Sequence, residues 1–150
     1  MMLGQAVDLC PEPLWLSADY QNRYWHIAYH ALFYTNYYLQ ADEAHLPTWP
    51  KHQPDSNFLG RRPWAPDEPP KAHAPYTKAE VMEYHGLCLD EVEAKVPALN
   101  LAAPSGFHWL PFSKAELQFY NIRHLQHHTG QLVDRLRTVA NVGVGWVRPD

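Results

Sequence analysis

Only two cysteines, Cys10 and Cys88, occur in the 150 residues. Two thiols do not make a disulfide framework, so a reduced, cytoplasmic setting is the expectation. Positive charge is also sparse. Twelve Lys and Arg stand against sixteen Asp and Glu, a net charge of −4 with His neutral. Beyond Arg61-Arg62 no basic cluster exists, so nothing draws a polyanion and no nucleic-acid partner is expected. No apolar run reaches membrane-spanning length, and no stretch has the basic start and apolar centre of a signal peptide, so no membrane partner is expected either. There is no nucleophile motif and no Gly-rich phosphate loop.

What is present points to a folded globule. Hydrophobic residues make up 46% and aromatics 13%, with six Trp and nine Tyr, too much apolar area for a disordered chain. Trp and Tyr join a large apolar body to a polar tip, which suits a core with a polar pocket inside it. The length is right for a single domain, 1–150, with one hydrophobic core.

Four segments read as helix. Residues 1–9 form a short one, ended by Pro11 and Pro13. Residues 20–41 contain no Pro or Gly and are apolar on nearly every face, the pattern of a buried helix. Residues 77–96 open with a capping box, Thr77 and Glu80, and carry a buried stripe of Val81, His85, Cys88, Val92 and Val96. Glu91 and Lys95 form an i,i+4 pair on the wet side. Residues 113–140 open with a second box, Ser113 and Glu116, and stop at Asn141 and Gly143. Between the second and third helices, residues 42–76 hold eight of the fourteen prolines, which forbids helix there. Trp49, Phe58 and Trp64 give this loop apolar anchors, so it is expected to pack over the helices. The expected fold is all-α: an antiparallel four-helix bundle with a long Pro-rich loop between helices 2 and 3.

Ten histidines frame the functional question. His124 and His128 are four apart on the last helix, so both imidazoles lie on one face, one turn apart. That is the simplest way for a helix to offer a metal two nitrogens, and it is also what a polar, partly exposed helix face looks like. His127 lies off that face. His26 and His30, again four apart, sit in the apolar second helix, where an unpaired imidazole is costly. For His26 a Tyr hydroxyl is the expected partner; for His30 spacing does not decide. His85, on an apolar stripe, reads as a satisfied core residue more readily than as a ligand. His45, His52 and His73 fall in the Pro-rich loop and are expected to be solvated; His108 is undecided.

The segments WHIAYHALFYTNYYL (25–39) and YNIRHLQHHTGQLVDRLR (120–137) resemble the paired signatures of the DinB-like superfamily of bacterial four-helix-bundle metalloproteins, and PYTKAEVMEYHGLC fits the opening of its third helix. The resemblance runs over about residues 12–140 and is strongest at the last helix. It implies one metal held by His30, His124 and His128, with Gly130-Gln131 following. It also implies a divalent-metal-binding protein, a metal-dependent thiol transferase or a hydrolase, acting on a small molecule with a small thiol as possible cofactor. The alternative is a non-catalytic bundle braced by metal and binding a small ligand.

Three neutral imidazoles suit Zn, Ni or Fe as a divalent ion and leave positions open for water or a thiolate. No carboxylate pair falls near the triad, and no catalytic residue is assigned. Tyr34, Tyr120 and Asn121 are the candidates to support the ligands, Asn121 by accepting an imidazole N–H. The family's first helix is longer than residues 1–9 supply, so apolar surface is expected to stand uncovered and a homodimer to form over it.

Overall fold

In the computed structural model, which describes residues 1–147, all regular structure is helical. The helices are α1 (Met2–Asp8), α2 (Glu12–Leu16), α3 (Tyr24–Tyr37), α4 (Lys78–Lys95) and α5 (Lys114–Ala140), with a 3-10 turn at Val96–Ala98. Two isolated bridges, Arg62 with Ala65 and Pro104 with Ser113, are the sole β pairings among these residues.

α2 is one helix more than the sequence reading provides. Pro13, read there as a terminator, falls within α2's first turn instead. A proline is tolerated at that position because the N–H it lacks would have no helical partner. α3 is shorter than its expected span of 20–41. Residues 20–23 are held by α5 rather than by a helical turn: Arg135 donates to the Asn22 carbonyl at 3.0 Å, and its guanidinium lies 3.9 Å from the Tyr20 ring centroid. At the other end, the Gln40 amide donates to the Asn36 carbonyl at 3.0 Å and closes the last turn.

The other two long helices follow their caps. Thr77 with Glu80, and Ser113 with Glu116, form complete capping boxes. α5 ends at Asn141 in the left-handed region, φ 53°. Each box satisfies otherwise orphaned N–H groups and stabilises its helix by about 1 kcal/mol.

α3 packs most extensively on α5 and next on α4, while α1 packs on α4 and α5. Trp15, Tyr24, Tyr29, Leu32, Tyr84, Leu117, Leu132 and Leu136 are fully buried where these helices meet. Burying each such side chain contributes about 1.5–3 kcal/mol. The Tyr24 hydroxyl ties α3 to α1 by donating to the Ala6 carbonyl at 2.9 Å. The stub at 1–9 therefore does not stand open: Leu3, Ala6 and Val7 are buried, and Gly145 donates to Gln5 at 3.2 Å from the C-terminal segment. α1 comes so close to α4 that a Cβ on Gly4 would sit 3.1 Å from His85 Cε1.

Residues 38–77 run without a helix from α3 to α4. Trp49 anchors this segment, stacked on Tyr84 at 4.7 Å and donating to Glu83 at 3.0 Å. Phe58 is half-buried. Trp64, expected as an anchor, is instead 66% exposed and touches Phe58 edge-on at 5.1 Å. On α4, Val81, His85 and Cys88 are buried as read, whereas Val96 is exposed beyond the helix end.

Candidate metal centre

α3 and α5 lie side by side, so histidines far apart in sequence can face one another. His30, His124 and His128 each offer a ring nitrogen, and these three atoms lie within 4.8 Å of one another, the one such group of three among the described residues. His30 Nε2 is 3.1 Å from His124 Nε2. The three ring centroids are 5.0 Å (30–124), 4.6 Å (30–128) and 4.6 Å (124–128) apart.

The tautomers can be worked out from the outer partners. His30 Nδ1 lies 2.6 Å from the Asn57 carbonyl, which can only accept. The proton is therefore on Nδ1, and Nε2 presents a lone pair to the centre. His128 Nδ1 lies 2.8 Å from Gln131 Oε1, which again places N–H outward and leaves Nε2 free. His124 has no outer partner among the described residues, so its Nε2 either donates to His30 Nε2 or turns a lone pair to the centre, and the second form is the one that could hold an ion. Two nitrogens on one tetrahedral ion with bonds of about 2.0–2.1 Å lie about 3.3 Å apart, close to the spacing of His30 and His124. The donor set fits a divalent ion of borderline softness.

Burial keeps the rings neutral. It pushes His30 down to about 3 against the opposing bond to Asn57, with His128 and His124 adding to the depression. It pushes His124 down to about 4, helped by His128 and His127, and lowers His128 as well, against the bond to Gln131. Neutral imidazole is the form that binds metal.

The remaining histidines do not join this group. His26 points its Nε2 at the Ser56 carbonyl, 2.7 Å away, rather than at a Tyr hydroxyl, and stacks on Trp25 at 4.8 Å. His85 is buried at the α1–α4 contact. His127 is exposed, its ring 4.9 Å from that of His128. His45 is exposed and paired with Asp42, as its loop position suggested. His108 is exposed and paired with Glu43. His52 and His73 correct the expectation of solvation. His52 is half-buried, 2.8 Å from the Tyr29 hydroxyl, and burial pushes it down to about 4. His73 is half-buried with its ring 5.8 Å from that of His26.

Of the supporting candidates, Tyr34 lies against both His30 (4.9 Å) and His124 (5.3 Å). Tyr120 packs on Tyr38 at 5.6 Å instead. The Asn121 amide donates to the Thr35 carbonyl at 3.1 Å, while its Oδ1 and His124 Nδ1 are both buried without a partner. The oxygens that orient the ligands are those of Asn57 and Gln131, which the sequence reading missed. Gln131 had a signal, since i,i+3 residues are neighbours on a helix. A backbone carbonyl from a loop has none.

The site opens on a cavity of about 1150 Å³, with His30 and His124 in its wall beside Phe33, Tyr34, Trp64 and Trp109. No helix is long and apolar enough to cross a membrane among the described residues. No family model, curated protein or solved structure matches this chain.

Proposed function

We propose that this chain is a DinB-like protein that binds one divalent metal ion through His30, His124 and His128 and acts on a small molecule as a metal-dependent thiol transferase or hydrolase. The convergence of three neutral imidazoles at the head of a cavity carries this reading. When bound, the ion would supply Lewis acidity to a donor entering from the cavity. The chain's own contribution is positional: Asn57 and Gln131 fix two ring orientations, and Tyr34 packs against two of the rings. The same reading takes α1, α3, α4 and α5 as an antiparallel four-helix bundle, with α2 as an insertion and the Pro-rich segment as a lid over the centre.

A second reading, a non-catalytic bundle braced by metal, is favoured by one observation. The two carboxylates at the cavity are already engaged, Glu43 by His108 and Asp55 by Lys71 and Arg62, so no free carboxylate lines it among the described residues. Elemental analysis combined with X-ray absorption on zinc-, nickel- and iron-loaded protein tests both readings. One ion per chain with three nitrogen ligands and an exchangeable position is expected. A protein that retains no ion sinks both, and a shell closed by a fourth protein ligand leaves the second.

A homodimer and a cytoplasmic setting belong to this proposal too. The support for a dimer lies on α5, where Phe119 (74% exposed) and Ile122 (59%) are one turn apart on the outer face. Light scattering of Phe119→Glu should move the particle toward the 17.4 kDa of one chain. The support for the setting is two free, buried thiols, Cys10 and Cys88.

A further inference from the structure

We propose that the cavity beside the triad receives a molecule with one metal-binding head and a flat, apolar body that carries no second anionic group. The inference rests on the metal reading above and narrows its substrate class.

Size comes first. The cavity of about 1150 Å³ is far larger than a water or a simple thiol needs. Ligand pockets of this size hold drug-sized molecules and bury most of their surface. With His30 and His124 in the wall, a molecule filling the space has one end beside two of the three rings.

The wall then selects the body. Phe33, Tyr34 and Tyr37 from α3 and Tyr120 from α5 face two loop indoles, Trp64 and Trp109. Aromatic faces pack best against other flat, apolar groups. Trp64 and Trp109 are 66% and 46% exposed, so a large part of each indole stands uncovered at the cavity.

Charge decides the rest. Among the described residues no Lys or Arg lines the cavity. Its two carboxylates are matched already: Asp55 lies 2.5 Å from Lys71 and 3.2 Å from Arg62, and Glu43 accepts from the His108 N–H at 2.9 Å. A carboxylate or phosphate on the body would lose water and find no cation in exchange. A cationic body meets a different obstacle. Three neutral imidazoles leave a divalent ion its full charge, which repels a second cation nearby. One anionic or neutral donor at the ion and an uncharged aromatic body is the combination the wall accepts.

Three alkyl thiols share the head and differ in the body: 2-mercaptoethanol, 2-naphthylmethanethiol and glutathione. Their binding to zinc-loaded protein can be read by calorimetry, with zinc content measured on the same samples. 2-Naphthylmethanethiol should bind at least about tenfold more tightly than either of the others. Trp64→Ala, a change at an exposed side chain, should remove most of that gain while leaving zinc content and 2-mercaptoethanol binding unchanged. Zinc uptake with glutathione equal to or tighter than 2-naphthylmethanethiol overturns the inference and leaves the metal reading standing. Failure to take up zinc overturns both.

Discussion

Two regions of this molecule bury histidine, and they do so to different ends. At the α3–α5 contact, three rings converge, two of them held from behind by oxygens. At the α1–α4 contact, His85 stands alone, its ring filling the space that Gly4 leaves by having no side chain. Both regions hold a buried ring nitrogen without a partner among the described residues, Nδ1 of His124 and Nε2 of His85. In both, burial is the first cause of a lowered pKa, and the amino terminus adds to it at His85. Burial and neutrality therefore do not distinguish a ligand from a core residue. Convergence does, because it brings three ring nitrogens close enough to one point to hold one ion.

The sharpest way to break this comparison is to remove one ring from each region. His128→Ala leaves two of the three donors, so nearly all bound metal should be lost after dialysis. His85→Ala should keep the full metal content and lower thermal stability instead, since it opens a cavity at a packed contact. Equal metal in wild type and His128→Ala, measured by elemental analysis, would show that convergence is not binding.

Acid should act on the triad and on His52 together, and in the same direction on His85. An unfolded histidine titrates near 6.5. Burial pushes the folded-state values down to about 3 for His30 and about 4 for His52 and His124. Between these limits the unfolded chain holds more protons than the folded one, so stability falls as pH falls. The metal-free protein should keep its full stability above about pH 6.5 and lose it progressively toward about pH 3. Urea midpoints at pH 7.5, 6 and 5 would check this, and a midpoint that rises on acidification contradicts it. Metal should hold on below the free-imidazole range, because the protons that compete for His30 and His124 bind weakly there.

A smaller effect sharpens the His85 side alone. Gly4→Ala places a methyl 3.1 Å from His85 Cε1 and 3.2 Å from Nε2. Relief requires α1 or the His85 ring to give by a few tenths of an ångström, and where the packed contact resists, such overpacking costs about 1–3 kcal/mol. Thermal denaturation should show a lower midpoint with metal content unchanged. A Gly4→Ala protein that loses metal would mean that the two regions are coupled.

The two regions also differ in how far the sequence betrays them. On α5, the Ser113–Glu116 box, the His124–His128 spacing and the Asn141 stop are local patterns, and local patterns survive folding. His30 is harder to read, since only the pairing of α3 with α5 separates it from His26, one turn earlier on the same helix. The Asn57 carbonyl is invisible in the sequence, because every residue has one and it arrives from a loop 27 residues away. Composition misled at Trp64 and His52. The indole expected to anchor the loop is exposed, and the histidine expected in water is half-buried under aromatics. Trp49 takes the anchoring place by stacking on Tyr84, a long-range contact that no local pattern announces.

The smallest effects belong on α5, where two residues near the triad differ in what they touch. Gln131→Leu removes the oxygen 2.8 Å from His128 Nδ1 but leaves the three donors. Loss of such an orienting partner lowers metal affinity by about tenfold or more. His127 is the immediate neighbour of His128, yet its side chain is exposed and stands outside the convergent group. A ring one position along a helix is turned about 100° away, so it cannot share the ion. Its influence is limited to a small electrostatic one, since His127 is among the groups that lower His124 and His128. His127→Ala should therefore leave metal stoichiometry unchanged and affinity within about twofold of wild type, measured by competition with a chelating dye. A loss as large as that of Gln131→Leu would place His127 in the shell and require α5 to unwind at its middle turns.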